Sequence, residues 1–395
     1  MEKILFLAVI IIALTSFSFM PIVESQLPPT GKCKNGAYPP ESSRKVPKYV
    51  INLDLPPEQR WTKLVTENKQ GLYNLLAAIR NLTNVIFHGK LFILIDKYMP
   101  LIVNTLPYPF GEEIAGIANA TGIPMGEVAL FNLFYEIFTV CTSVIVEDTS
   151  GVLYHARNLD FGLFLGWDFM NHTWLVTEAL RPIVVELDYQ RQGKTLFRGV
   201  NFVGYVGILT AMKPNLFSLT MDERFNLNGG FIGIIEWLLG DHSTTWMGFL
   251  TRQVMENATS YTVAQKMLAT TKLLAPAYFI LGGNKSGEAC VITRDRGSNT
   301  DADIWTMADS GNEWFILETN YDHWKKPPFF DDRRTPAIKC LNQMGQKNAS
   351  VSGLFNLLST QPNLNKLTTY TALMQVNINK METYLQYCSD PCWPW

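Results

Sequence analysis

The chain has 395 residues, 47% of them hydrophobic, and a formal net charge of -2. That length and apolar content supply two folded units or one large one with a substantial core. The near-neutral balance, with no Lys/Arg cluster interleaved with aromatics, gives no reason to expect a nucleic-acid partner.

The chain opens on a targeting segment. Lys3 precedes the apolar run Ile4 to Leu14, and Val23 and Ser25 stand where a signal peptidase reads, so residues 1–25 are expected to be a signal peptide. Thr15, Ser16 and Ser18 dilute the run and Pro21 interrupts it, which argues against an uncleaved anchor. Residues 26–55 are Pro-rich and read as irregular. Residues 56–140 show helical spacing, as in LVTENKQGLYNLLAAIRNLTNVI and KLFILIDKYMPLIV, with breaks at Gly89, Pro107 and Pro109.

The pattern changes at Cys141. SVIV and VLYHA flank the turn residues Asp148, Thr149, Ser150 and Gly151, which predicts a β-hairpin. The hairpin sets Cys141, at the start of one strand, beside Arg157 and Asp160 at the end of the other, 16 and 19 residues further on. Further β-rich runs follow in PIVVELDYQ, TLFRGVNF, GYVGILTAM and LFSLTM, then helical patterns in FIGIIEWLLG, WMGFLTRQVMENA and YTVAQKMLATTKLL. Strands return in PAYFILGG, ACVITRD, DIWTMA and WFILETN, and the end reads as helical from about Thr335. Two antiparallel sheets stacked face to face with helices outside satisfy this order, an α+β class with four αββα layers.

A thiol becomes a nucleophile when its thiolate is stabilised. A fixed cation such as Arg157 does this, and a carboxylate such as Asp160 orients the base that removes the proton. No histidine stands ready as that base: of the five, His155 is expected opposite Ser143 or Val144, away from Cys141. A cut between Val140 and Cys141 would supply one, since the new α-amino group, with a reference pKa of about 7.7 to 8, takes the proton from its own thiol. The competing readings are a small buried hydrophobe for Cys141 and a structural ion pair for Arg157 and Asp160. Asn320 ends the apolar run WFIL before a Tyr-Asp turn, where an asparagine serves either as a turn residue or as an amide donor to an oxyanion. Arg333, in Asp-Asp-Arg-Arg, reads by itself as a solvated charge run or a pair tied to a helix start near Thr335 and Pro336. Glu223 is explained as well by a surface salt bridge and stays outside the core site.

Other chemistries find no motif. There is no H-E-x-x-H, no G-x-S-x-G and no zinc-finger cysteine pair, so neither metal nor organic cofactor is expected. Gly193-Lys194-Thr195 lacks the upstream P-loop glycine, Asp188 standing there, and reads as a hairpin turn.

The segments FNLFYEIFTVCTSVIVED, HARNLDFG, ERFNLNGGF, APAYFILGGN, ETNYDHW and DDRRTPA together resemble the acid ceramidases, a family of cysteine-type N-terminal nucleophile amidohydrolases. The resemblance runs from about Cys33 to the end of the chain. It implies a precursor that cuts itself before Cys141 into a helical α-subunit, 26–140, and a catalytic β-subunit, 141–395, with the αββα fold. It implies Cys141 as nucleophile, Arg157 and Asp160 as its support, Asn320 as oxyanion donor and Arg333 as an active-site arginine. Six cysteines leave many pairings open. The resemblance implies Cys33 bonded to Cys340, joining the subunits, and Cys388 to Cys392, with Cys141 free and Cys290 a buried thiol.

By the same resemblance the substrate is ceramide or a related N-acyl lipid, the compartment is the lysosome, with secretion as a second destination, and a saposin-type protein presents the lipid. N-acylethanolamine acid amidase is the nearest alternative, and a non-catalytic lipid-binding glycoprotein the alternative of another class. Sequons at Asn81, Asn119, Asn171, Asn257, Asn284 and Asn348 suit a secretory route. The apolar stretch Phe161 to Met170 is expected to form an exposed lip that meets an anionic membrane surface.

Overall fold

A computed structural model describes residues 31–392 apart from 88–89, 135–138, 162–165, 225–229 and 299. The expected signal peptide, Gly89 and four residues of the expected lip therefore lie outside the described residues.

After a single 3-10 turn, Ser42–Arg44, come a short strand, β1 (Lys48–Asn52), and the helices Thr62–Glu67, Lys69–Phe87, Lys90–Val103, Phe110–Thr121 and Met125–Phe134. Gly122, at φ 73°, closes the helix Phe110–Thr121 in the left-handed conformation that glycine adopts without strain. The hairpin of β2 (Thr139–Glu147) and β3 (Leu153–Phe161) comes next, then the two-residue strands β4 (Trp167–Asp168) and β5 (Thr173–Trp174) and the helix Leu175–Leu180. A meander follows: β6 (Val184–Arg191), β7 (Lys194–Phe202), β8 (Thr210–Lys213) and β9 (Phe217–Glu223). Helices Gly230–Leu238, Met247–Asn257 and Tyr261–Thr270 lead to β10 (Ala277–Gly282), β11 (Ala289–Arg294), β12 (Asp303–Thr306) and β13 (Phe315–Glu318). Helices Arg334–Met344 and Val351–Leu358 precede β14 (Thr368–Gln375) and β15 (Lys380–Leu385). Ser260 and Ser350 cap the helices that follow them by accepting the Val263 and Gly353 amides.

Two sheets stack, one of eight strands in the order β1-β6-β7-β8-β9-β10-β11-β12 and one of five in the order β13-β2-β3-β14-β15. Ile145, Ile280, Val291 and Ile316 meet between them. Val144, Val146 and Ala156 on the other face of the five-stranded sheet pack under Leu341, Leu354 and Leu358 of the last two helices. Leu250, Val254 and Leu268, from the helices on the far side of the larger sheet, complete the four-layer order.

Five expectations need correction. Residues 26–55 are not wholly irregular, since β1 pairs with β6, and this pairing is parallel, so the larger sheet is mixed rather than antiparallel. The end is not helical throughout: β14 lies beside β3 in the five-stranded sheet, and its residues TTYTALM are all buried. His155 stands opposite Ile145, and it is Arg157 that stands opposite Ser143. Arg333 is fully buried rather than solvated.

The segments before and after Cys141 are welded by a buried charge cluster. Glu113 accepts from Arg60 at 3.0 Å, Trp61 at 2.7 Å and Arg252 at 2.7 Å, with only Arg60 partly exposed. A buried carboxylate held this way contributes little net stability over an apolar substitute, but removing one partner leaves an uncompensated charge. Cys33 is bonded to Cys340 and Cys388 to Cys392, while Cys141 and Cys290 are free and buried. No helix among the described residues is long and apolar enough to cross a membrane.

Candidate active site

The pleat decides which groups meet Cys141. In β2 and β3 the side chains alternate between the inter-sheet face and the helix-covered face. Cys141 pairs with Leu159 and Ser143 with Arg157, so these four project between the sheets, while Val140, Thr142, Asn158 and Asp160 project to the other side. Cys141, Arg157 and Asp160 thus lie at one end of the hairpin, as expected, but on opposite faces of it.

On the inter-sheet face Arg157 donates through Nη2 to the Cys141 sulfur and through Nη1 to the Leu209 carbonyl and, at 3.1 Å, to Thr210. Its ion-pair partner is Asp222 of β9 at 3.3 Å, not Asp160. Both charges are fully buried. Asp222 also accepts from Ser143 Oγ at 3.0 Å. Thr220 donates to Ser143 Oγ at 2.9 Å and stands 3.2 Å from His155 Nε2, whose Nδ1 is 2.9 Å from Ser218. A hydrogen-bonded seam therefore runs between the sheets from His155 to Cys141.

On the other face Asp160 accepts from Asn365 at 2.8 Å and lies 3.8 Å from Arg333. Arg333 is gripped by Asp331 through Nε at 2.8 Å and Nη2 at 2.9 Å, and it donates to the Cys141 carbonyl, to Thr142 Oγ1 at 3.3 Å and to Thr319 O at 3.1 Å. Arg333 pins the start of the strand that carries the thiol.

Asn320 reaches Cys141 from the end of β13. Its backbone adopts φ 69°, a left-handed conformation that asparagine tolerates better than most residues. Its side-chain oxygen accepts the Cys141 amide at 2.6 Å and Arg333 Nη2 at 3.1 Å, and its nitrogen donates to the Glu223 carbonyl at 2.7 Å. Three partners fix which end of the amide faces Cys141, and it is the acceptor end. All five expected residues are brought together, with Arg157 and Cys141 on one side of the hairpin and Asp160 and Arg333 on the other.

Burial dominates the electrostatics. It pushes the Cys141 thiol far up, with Arg157 and Arg333 opposing it and Asp222 and Asp160 adding to it. Asp160 is pushed up to about 6 by burial, against the pull of Arg333. His155 is driven down to about 3, by burial and by Arg157, and is neutral. Among the described residues no group of three or more potential metal ligands is found.

Residues 141–337 match the linear amide C-N hydrolases of the choloylglycine hydrolase family, and residues 44–106 match the beta subunit of N-acylethanolamine-hydrolyzing acid amidase. Acid ceramidases of Rattus norvegicus and Homo sapiens are each 50% identical to the chain, over 94% of it and 95% of their own length. The solved structure of a Caenorhabditis elegans N-acylethanolamine-hydrolyzing acid amidase ortholog is 30% identical, with a TM-score of 0.52, and covers 62% of the chain and 100% of its own. Stacked sheets, a buried strand-borne cysteine and these matches define an amidohydrolase with the N-terminal nucleophile fold. The chain belongs to the acid ceramidase family.

Proposed function

We propose that this enzyme hydrolyses the amide bond of ceramide, giving sphingosine and a free fatty acid, after cutting itself between Val140 and Cys141. The carrying observation is the contact of the Arg157 guanidinium with the Cys141 sulfur while Asn320 and Arg333 hold the amide and the carbonyl of the same residue. The ceramide substrate is carried over from relatives named acid ceramidase.

In the uncut chain Cys141 is an internal residue of β2 and its thiol is sealed and protonated. Self-cleavage exposes an α-amino group where Asn320 Oδ1 now accepts the amide, and this amine takes the thiol proton. Arg157 steadies the thiolate, which attacks the ceramide carbonyl carbon. The tetrahedral oxyanion is proposed to be met by Asn320 Nδ2, which in the uncut chain donates to Glu223 O and so must share or release that bond. The amine protonates the departing sphingosine nitrogen, and water then frees the fatty acid from the Cys141 thioester. Asp160 and Arg333 hold the strand from its other face. Cys33–Cys340 would keep residues 26–140 and 141–395 joined after the cut.

A lysosomal setting, with secretion as a second route, is part of the same proposal, as is help from a saposin-type lipid-presenting protein. All six sequon asparagines are exposed, as acceptors on that route must be. The match of residues 44–106 favours N-acylethanolamines as a second substrate class.

One experiment tests the core of this. Purified wild-type precursor should give two fragments on a reducing gel that stay joined without reductant, and Cys141→Ala should remain one chain. The processed enzyme is then offered ceramides and N-acylethanolamines. Normal cleavage of Cys141→Ala would assign the cut to another protease, and a preference for N-acylethanolamines would replace ceramide as substrate.

A further inference from the structure

The α-amino group that serves catalysis does not exist until the Val140–Cys141 bond is broken, so the first thiol proton must go elsewhere. On the inter-sheet face, Asp222 follows Ser218 and Thr220 along β9 and is fully buried. Its Oδ1 is occupied by Ser143 and stands 3.3 Å from Arg157 Nη2, the same nitrogen that donates to Cys141 Sγ. Thiol and carboxylate therefore flank one guanidinium nitrogen. Asp222 Oδ2 is buried and bonded to no other protein nitrogen or oxygen, and the Cys141 thiol is close enough to donate to this carboxyl. The alternatives are engaged or misplaced: both His155 nitrogens are held by Ser218 and Thr220, and Asp160 lies behind the hairpin.

We propose, on the footing of self-cleavage at Val140–Cys141, that Asp222 is the base for that first event. The Cys141 S–H proton passes to Asp222 Oδ2, and the thiolate attacks the Val140 carbonyl carbon. The C–N bond to Cys141 breaks as the protonated Asp222 returns its proton to the departing nitrogen, leaving a free amine and a Val140 thioester that water hydrolyses. One positive and one negative charge are present before and after the proton moves, so the dry cluster never carries an uncompensated charge, which burial would penalise heavily. Burial also lifts the Asp222 carboxyl above the usual carboxylate range, which makes it a stronger base.

The test is the rate of self-cleavage of purified full-length precursor after a pH jump, read as two fragments on a reducing gel. Asp222→Asn keeps the shape and should cleave about 10²-fold slower or worse, the usual range for a lost general base. Asp222→Glu restores a carboxylate and should recover at least tenfold of that loss. A folded Asp222→Asn, both disulfides intact, that cleaves within threefold of wild type overturns the role. A wild-type precursor that never cleaves sinks the self-cleavage reading instead. If Asp222→Asn does not fold, the pH profiles of wild type and Asp222→Glu decide. The groups around Asp222 are Cys141 and Ser143 from β2, Arg157 from β3, Glu318 from β13, Tyr370 from β14 and Arg333. Only the acid limb set by Asp222 should move in the Glu variant, and a flat wild-type profile or an unmoved limb overturns the proposal.

Discussion

Asn320 does two jobs with one side chain, accepting from the Cys141 amide and donating toward Glu223. If its nitrogen turns to the oxyanion during turnover, removing the side chain should cost about 10²-fold in turnover by processed enzyme. Alanine at φ 69° adds backbone strain, so Asn320→Gly is the cleaner variant and should lose as much. Turnover within threefold of wild type in processed Asn320→Gly would remove the role. At this scale the sequence pointed to five residues of the candidate site and not to a sixth. Cys141, Arg157, Asp160, Asn320 and Arg333 were visible through motif resemblance, but Asp222 was not. FSLTMDE alternates apolar and polar residues, the usual mark of a strand with one wet face. Here the polar face is dry, because Ser218, Thr220 and Asp222 meet His155, Ser143 and Arg157 across the sheets. The matching alternation of Ser143 with Cys141, and of His155 with Arg157, was the available signal.

Elements followed from pattern where their surroundings were conventional. The hairpin formed as predicted, with Asp148 accepting the Ser150 and Val152 amides at its turn and Gly151 at φ 84°. The strand β14 was missed because a central strand covered on both faces has no alternation to read, although its threonines and tyrosine are good strand formers. The lip also differs in detail from the expected one. Trp167 is half-buried and packs on Trp174 at 5.0 Å between centroids, whereas Phe169 and Met170, in the turn between β4 and β5, are 80% and 90% exposed. The proposed membrane contact therefore rests on those two. Changing both Phe169 and Met170 to Ser should lower flotation of processed enzyme with anionic liposomes at least threefold, and wild-type flotation should rise as pH falls from about 7 to 5 while carboxylates near the membrane lose charge. A glycan on Asn171, in the same turn, would hold it off the bilayer, so the assay is run before and after deglycosylation. Equal flotation of mutant and wild type in both arms would deny the turn any membrane role.

The whole molecule carries carboxyl groups that are better buried neutral than charged. Glu318 is enclosed, accepts the Thr319 and Tyr321 amides, and is pushed up to about 8 by burial against the pull of Arg334; Asp160 is pushed up to about 6. A carboxyl whose folded pKa is raised stabilises the fold fully below its unfolded value and loses that contribution as pH rises through the folded one. For Glu318 the loss falls between 4.5 and about 8, and for Asp160 between 3.8 and about 6. His155 works the other way: held neutral, its contribution is complete above 6.5 and fades as pH falls toward about 3. From pH 8 to 6.5 only Glu318 acts among these three, and acidification stabilises. Between 6.5 and about 6 Glu318 and His155 offset each other, and below about 6 two carboxyls oppose one imidazole, so the balance again favours acid to about pH 5. The thermal midpoint should accordingly stand a few degrees higher near pH 5 than near pH 8, since one group contributes up to about 1.4 kcal/mol per pH unit. Glu318→Gln stays neutral throughout and should abolish the rise between pH 8 and 6.5, leaving the His155 and Asp160 contributions to oppose each other below it. A wild-type midpoint that falls steadily from pH 8 to 5, or a Gln variant with an unchanged profile, would contradict this account. An enzyme whose interior is more stable in acid is suited to the acidic compartment proposed for it, and the same burial that lifts Glu318 also keeps the Cys141 thiol protonated in the uncut chain.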